Sequence, residues 1–425
     1  MKILWITNIV FPEATRLLHN ASELKSSGGW MLGSAEQLVK YDEIQLAVAT
    51  PTPLVKELTF LKGAKMSYYL LPYGKGNCLY NKEYESYWKY INEEFHPDVV
   101  HIHGTEFTHG LSFVKACGSN NVVVSIQGLV SVIADYYLCG LKTFDVFRNI
   151  TERDLIVGTL FHDRKEFSKR GKYEIELLQS VNHVIGRTSW DKAHIWAINP
   201  HVQYHFCNET LRPEFYNGDK WEYTKCVPHS IFLSQANYPI KGIHVFVKAI
   251  PLIQRDFPNV SIRVAGQDIC SVRKFKGIVP IRSGYEKYVS RLIKRLNVEG
   301  RIEFVGRLNA EEMKQEYLKC NVFVCPSSVE NSPNSLGEAQ ILGTPCVCSY
   351  AGGVPDLMKG YEKFMYRFED AVMLAKNICD IFKSTKNQVN MIDIARKRHD
   401  REDNAMRLIE IYTYIENNSS KSIID

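Results

Sequence analysis

Twice along this chain the same pattern runs: short apolar stretches of strand length, separated by stretches with helical periodicity. In the first half the apolar runs are Ile3 to Thr7, Ile44 to Ala49, Ser67 to Leu71, Val99 to His103, Val122 to Ile126 and His183 to Arg187; Ala35 to Lys40, Tyr84 to Glu94 and Tyr173 to Ser180 read as helices between them. In the second half Ile231 to Ser234, Ser261 to Ala265, Ile302 to Val305, Asn321 to Cys325 and Cys346 to Ser349 read as strands. Ile243 to Arg255, Tyr285 to Leu296, Glu311 to Lys319 and Ala371 to Phe382 read as the helices of that half. Strands alternating with helices predict parallel sheets covered on both faces. At 425 residues the chain is too long for one core, so the two series predict two doubly wound α/β domains. Their expected bounds are 1–212 and 229–400, joined by a polar, aromatic linker over 213–228. A long amphipathic pattern follows from Ile392 to Ile415, and the polar stretch Asn417 to Asp425 is expected to fray.

Ligands of such sheets bind outside the carboxyl ends of the strands. The richest stretch in that position runs from Pro326 to Ala339, after the apolar run Val322 to Cys325 and into a helix over Leu336 to Leu342 with Asn334 or Ser335 near its cap. Free amides at a helix start, with the dipole behind them, favour an anion such as phosphate. Glu330 in the loop and Glu338 about one turn into the helix do not complement phosphate, but carboxylates accept hydrogen bonds from hydroxyls. Amides for a diphosphate beside acids for sugar and ribose hydroxyls fit a nucleotide-sugar better than a plain phosphate. The blander alternative is a solvated helix start with two unrelated acids.

Other strand ends are less specific. Gly28 and Gly29 can bring backbone close to a ligand, or simply make a turn. His101 and His103 alternate onto one face of their strand. The pair suggests a metal by residue type, yet no third ligand is near in sequence, and a hydrogen-bonding role is expected, shared with Glu106 and His109 on the next loop. Arg187 ends another strand, where a structural salt bridge explains it as well as a ligand does.

The Glu330 to Glu338 spacing, followed by Gly343-Thr344-Pro345 and then Gly352-Gly353-Val354-Pro355-Asp356, resembles the retaining glycosyltransferases of family 4. The resemblance implies the GT-B fold: two Rossmann-like domains facing across a cleft, with the last helix, here about 405–416, crossing back to the first domain. It implies that Glu330 contacts the donor sugar, Glu338 the ribose, and the backbone of Asn334, Ser335 and Leu336 the sugar and phosphate. Lys241 would meet the donor diphosphate, Gly28 and Gly29 would border it and the acceptor, and the Gly306-Arg307 loop would read the nucleotide base. His103 and Glu106 fall on the acceptor side. The chain departs from the family in two places. Many members carry a His where this chain has Gln127, which can bind sugar but cannot take a proton at neutral pH. The Arg that usually accompanies the Lys is missing, with Gln235 or Ala236 at its place; Arg187, Arg282 and Arg307 are candidates to replace it.

The implied activity is retaining transfer of a hexose from a nucleotide-diphosphate sugar to a hydroxyl of a glycan or lipid-linked acceptor. The Ser332-Pro333-Asn334-Ser335 form of the loop looks like bacterial enzymes that build capsular, exopolysaccharide or lipopolysaccharide chains, by analogy alone. No residue stands out as a covalent nucleophile, and no metal or other cofactor is expected, because Lys241 and the helix amides take its place. An epimerase or phosphorylase acting on the same nucleotide-sugars, or a non-catalytic binding homologue, are the rivals. A plain dinucleotide oxidoreductase lacks its Gly-x-Gly-x-x-Gly after a strand here.

Composition narrows the setting. No run approaches the ~20 apolar residues of a spanning helix, and the apolar start Ile3 to Ile6 is too short for a signal peptide. Eleven cysteines without a Cys-x-x-Cys pair fit reduced thiols, so a cytoplasmic protein is expected. Net charge is only +5, which gives no reason to expect a nucleic-acid partner. Between Lys142 and Lys172, however, eight Lys or Arg stand against five acids, interleaved with Phe144, Phe147, Ile150, Leu155, Ile156, Leu160 and Phe161. This stretch reads either as a solvated helix face or as peripheral contact with the inner membrane surface.

Overall fold

A computed structural model of the chain describes residues 1–19, 29–73, 80–271, 273–275, 279–384 and 391–421. The chain forms two compact units, one made of Met1–Val132, Ser168–Pro213 and Arg398–Asp425, the other of Ile133–Phe167 and Glu214–Lys397.

The first unit is built on eight strands: β1 (Lys2–Ile6), β2 (Gln45–Thr52), β3 (Thr59–Lys62), β4 (Ser67–Pro72), β5 (Val99–His103), β6 (Val122–Ser125), β7 (His183–Gly186) and β8 (Gln203–Phe206). They lie in the order β3-β4-β2-β1-β5-β6-β7-β8. Every neighbouring pair is parallel except β3 with β4. The continuous apolar runs follow from this. A parallel sheet is covered on both faces, so successive residues must all be apolar although they point opposite ways. In β1, Leu4 and Ile6 join a core with Trp88, Ile91 and Val124, while Ile3 and Trp5 join another with Met31, Ala35 and Tyr412.

The second unit holds β9 (Ser230–Leu233), β10 (Ser261–Ala265), β13 (Ile302–Gly306), β14 (Val322–Cys325), β15 (Cys346–Ser349) and β16 (Met365–Tyr366), with a separate antiparallel pair, β11 (Arg273–Phe275) and β12 (Val279–Ile281), between β10 and β13 in sequence. The order is β13-β10-β9-β14-β15-β16, all parallel. Chain direction across the sheet reverses between β9 and β14, and in the first unit between β1 and β5. Those two switch points are where the carboxyl ends of adjacent strands leave a crevice. The two Rossmann-like domains expected from the alternation are both present.

Four features differ from the sequence reading. The amphipathic tail is two helices, Met391–Arg398 and Arg401–Lys421, because the Asp400 carboxylate caps a new start by accepting from the amides of Glu402 and Asp403, both at 2.9 Å. The second of these helices continues through Lys421, past the point where fraying is expected. The stretch read as a linker is packed: Phe215 and Trp221 are buried, and Trp221 Nε1 donates to the Cys320 carbonyl at 2.7 Å. Residues 133–167, read as part of the first domain, belong to the second unit. No described helix is long and apolar enough to cross a membrane.

The Arg401–Lys421 helix is a structural part of the first unit. Tyr412 is fully buried; its hydroxyl accepts from Trp5 Nε1 at 3.1 Å and lies 2.5 Å from His101 Nδ1. The Tyr412 proton has no other acceptor among the described residues, so it serves His101 Nδ1, and Nε2–H of that tautomer donates to Ser125 Oγ at 2.5 Å. Burial holds the His101 pKa down to about 3, consistent with the neutral ring this chain of bonds requires. Tyr412→Phe should therefore cost about 1–3 kcal/mol by leaving buried partners unpaired. Tyr412→Ala should cost about 3–5 kcal/mol by adding a cavity. Denaturant titration of the two variants checks both the size and the order of the losses.

Candidate functional site

The strongest constellation lies at the switch point of the second unit. After β9 the chain makes a short 3-10 turn, Pro239–Lys241, and Gly242 then takes a left-handed conformation (φ +72°) that opens the Ile243–Asp256 helix. A Cβ at Gly242 would lie 1.8 Å from the Pro326 carbonyl oxygen, so only glycine lets the two loops meet. The Ser328 amide donates to the Ile240 carbonyl at 2.8 Å and ties them together. From the other side, Gly352 (φ +56°) leaves room for the Glu330 carbonyl, which accepts from the Gly353 amide at 2.9 Å. Between these fixed backbones the Lys241 ammonium and the Glu330 carboxylate are in direct contact. Ser327 Oγ donates to the same carboxylate oxygen at 2.7 Å. Burial alone would lower the Lys241 pKa; Glu330 reverses this and holds the ammonium above its ordinary range. The pair is about five-sixths buried on each side chain, so it is a fixed charge arrangement rather than a surface ion pair.

The helix that follows runs Asn334–Leu342 with Pro333 at its N-cap, one position before the cap expected from sequence. Proline offers no side-chain acceptor, so no capping side chain satisfies the first amides. The Leu336 amide turns back to the Pro333 carbonyl at 2.9 Å, whereas those of Asn334 and Ser335 find no partner among the described residues. Two free amides, not three, thus face out of the helix start. Asn334 Oδ1 is also buried without a partner, and Glu338 is buried one turn further on. Gly306 (φ +79°) closes β13, two strands away from β9, with its carbonyl accepting from the Gly266 amide at 2.7 Å; Arg307 beside it is exposed. Of the candidates for the missing Arg, Arg282 donates to the Glu286 carbonyl at 2.9 Å, and Arg187, in the other unit, is committed to Glu209 and to the Ile126 carbonyl.

The first unit gathers a second set of polar groups at its own switch point. His103 stacks on His101 at 3.8 Å and lies 4.2 Å from the Trp5 ring, and neither of its ring nitrogens has a partner among the described residues. Gly104 (φ +88°) turns the chain so that Glu106 and Gln127 converge on it: a Cβ there would meet Glu106 Oε2 at 2.2 Å and Gln127 Cδ at 3.4 Å. Glu106 Oε2, Gln127 Nε2 and Asn8 Oδ1 are all buried and unpartnered. Arg170 fixes this loop by donating to the Glu106 carbonyl from Nε and Nη2, at 2.9 and 2.6 Å. His109 stacks on Phe107 just beyond. Gly29 begins the Gly29–Leu38 helix beside Arg212, while Gly28 lies outside the described residues. Asn8, Ser327 and Arg170 were not singled out from sequence. Asn8 had a usable signal, a polar residue just past the first strand, whereas Ser327 and Arg170 are recognisable only from their contacts.

Burial pushes the Glu106 carboxyl up to about 7. An unfolded chain releases that proton near the ordinary 4.5, so between about pH 4.5 and 7 the unfolded state binds fewer protons and Glu106 lowers stability as pH rises. Glu106→Gln should remove that contribution, so the stability of the variant relative to the parent should rise across this window. Urea unfolding at several pH values checks the sign.

Comparison with known proteins matches these elements to a family. Residues 227–398, which contain β9 to β16 and the Lys241–Glu330 pair, match the Glycosyl transferases group 1 model. The D-inositol 3-phosphate glycosyltransferase of Corynebacterium urealyticum is 26% identical over 179 residues, 41% of this chain and 40% of that protein. The aligned part thus spans about two fifths of this curated relative. Among solved structures, sucrose-phosphate synthase from Thermosynechococcus elongatus superposes with a TM-score of 0.67 at 15% identity, covering 97% of this chain and 98% of that one. A trehalose-6-phosphate structure from E. coli, bound with UDP-2-fluoro glucose, gives 0.63 at 10% identity over 97% and 99%. The segment from 227 to 398 is thus similar to the group 1 glycosyl transferases, in a chain with the GT-B fold.

Proposed function

We propose that this protein is a retaining glycosyltransferase that moves a hexose from a nucleotide-diphosphate sugar to a hydroxyl of a glycan or lipid-linked acceptor, in the synthesis of a surface polysaccharide. The observation that carries the reading is the Lys241–Glu330 contact beside the two unpaired amides of Asn334 and Ser335. A lysine ammonium has three donors, so its bond to Glu330 leaves two for a diphosphate. Cation and amides together stabilise charge that grows on the leaving diphosphate, which is the largest electrostatic demand of the reaction. Glu330 and Glu338 accept from donor hydroxyls, Glu330 from the sugar and Glu338 from the ribose. The backbone of Leu336, Gly306 and Arg307 completes the donor contacts.

The acceptor hydroxyl attacks from the face the diphosphate leaves, and its proton passes to the departing oxygen. No covalent enzyme intermediate and no metal enter this scheme. His103, Glu106 and Gln127 supply neutral or nearly neutral hydrogen-bonding groups suited to sugar hydroxyls. A solved structure of the same fold that binds UDP-2-fluoro glucose makes uridine-linked glucose the first donor to try.

A panel of UDP-, GDP- and ADP-sugars should reveal one donor that raises the melting temperature, by about 2.7 kcal/mol of stabilisation at a hundredfold excess over its Kd. Absence of any selective donor would overturn the reading. With that donor, Lys241→Ala should lower kcat/KM by roughly a hundredfold, carried by kcat. Glu338→Gln should instead weaken donor binding by about tenfold. Accumulation of epimerised nucleotide-sugar without acceptor would identify an epimerase instead.

A further inference from the structure

Of the two short helices Thr143–Arg148 and Glu152–Val157 of the second unit, the second is amphipathic the wrong way round for water. Thr151 and Asp154 form a capping box at the start of the second one, and both turn inward: Asp154 Oδ2 accepts from the Gly284 amide at 2.8 Å, and Thr151 Oγ1 donates to the Arg282 carbonyl at 2.7 Å. Asp154 is buried. Its neighbours Leu155 and Ile156 are 78% and 85% exposed, and Val157 is exposed beside them. On the preceding helix Val146 is buried while Phe144 and Phe147 stand out, the latter against Phe161 at 5.4 Å. Scattered exposed apolar residues are ordinary, but five within fourteen positions, three of them directly following a buried aspartate, form a surface suited to an apolar medium.

Charge identifies that medium. The Gly284–Arg295 helix packs against this region and carries Lys287, Arg291, Lys294 and Arg295 against one acid, Glu286, which serves its cap. Two of the cations are fixed at the rim of the patch: Lys287 donates to the Ile150 carbonyl at 3.0 Å, and Arg291 to Asn149 Oδ1 at 3.0 Å. Lys142 and Arg148, both exposed, lie at either end of the first helix. Such a collar repels the same collar on a second copy, and it attracts anionic headgroups around inserted apolar side chains.

We propose that Phe144, Phe147, Leu155, Ile156 and Val157 insert into the interfacial region of an anionic lipid bilayer, with the cations of the Gly284–Arg295 helix resting on the headgroups. This surface does not depend on the transfer reaction, so its test does not either. In flotation with phosphatidylcholine vesicles, with or without about one third phosphatidylglycerol, the protein should bind the anionic vesicles at least about tenfold better, and added salt should weaken binding. Leu155→Ser with Ile156→Ser should cut binding by about tenfold at unchanged melting temperature, because neither side chain packs against the unit. Lys294→Glu with Arg295→Glu should abolish the preference for anionic lipid. Equal binding of the serine variant and the parent, or no binding to anionic vesicles, would overturn the proposal. So would a solution dimer that dissociates in the serine variant, which would assign the patch to a second copy of the chain.

Discussion

The second unit depends on a backbone contact that leaves no space for a side chain. The loop after β9 and the loop after β14 meet where Gly242 faces the Pro326 carbonyl, and the loop after β15 closes on them where Gly352 faces the Glu330 carbonyl. Both glycines are left-handed, so a larger residue would meet backbone strain as well as a clash. These contacts bring Lys241 and Glu330 together from strands that are adjacent in the sheet but far apart in sequence. A largely buried ion pair is weak evidence for stability, since desolvation offsets most of the attraction. Its position, at a topological switch beside a helix start capped by proline, gives it meaning as a preorganised charge arrangement.

The first unit uses the same topology with different chemistry. Its switch point presents His103, Glu106, Gln127 and Asn8, with unpartnered buried atoms on each and no permanent cation among them. Burial keeps His103 neutral and moves Glu106 toward neutrality. Arg187, which could have supplied charge, is locked to Glu209. One switch point thus offers a cation and free amides, and the other offers uncharged donors and acceptors. By their chemistry alone, the first set suits an anion such as a diphosphate and the second suits hydroxyl groups.

Much of the fold was legible because parallel strands covered on both faces are written largely as apolar runs, and β1, β6, β9 and β14 each contain an unbroken one. The edge strands of the first sheet were not: β3 exposes Phe60 and Lys62, and β8 exposes Gln203 and Phe206, so neither carries a run. Lys241, Glu330 and Glu338 could be read because their loops keep a recognisable spacing. The allegiance of residues 133–167 could not, since the bonds that fix it span more than a hundred positions, as in His244 Nε2 with the Cys139 carbonyl at 2.9 Å and Ser328 Oγ with the Tyr136 carbonyl at 3.1 Å. The break in the tail was available in principle. Asp400 followed by Glu402 and Asp403 is a helix-start composition inside a pattern whose apolar period suggests continuity.

The placement of that tail sets an order on assembly. The ribosome delivers the chain from its amino end, and domains generally fold as they emerge. The second unit has all its strands once residue 397 has been made, but the first, although it begins the chain, still lacks the helix that carries Tyr412 against Trp5 and His101. Strands made early therefore wait for a helix made late. Until it arrives, one face of their sheet is covered only in part, by Phe11, Met31, Ala35 and their neighbours, and Trp5 and His101 lack the side chain that pairs them.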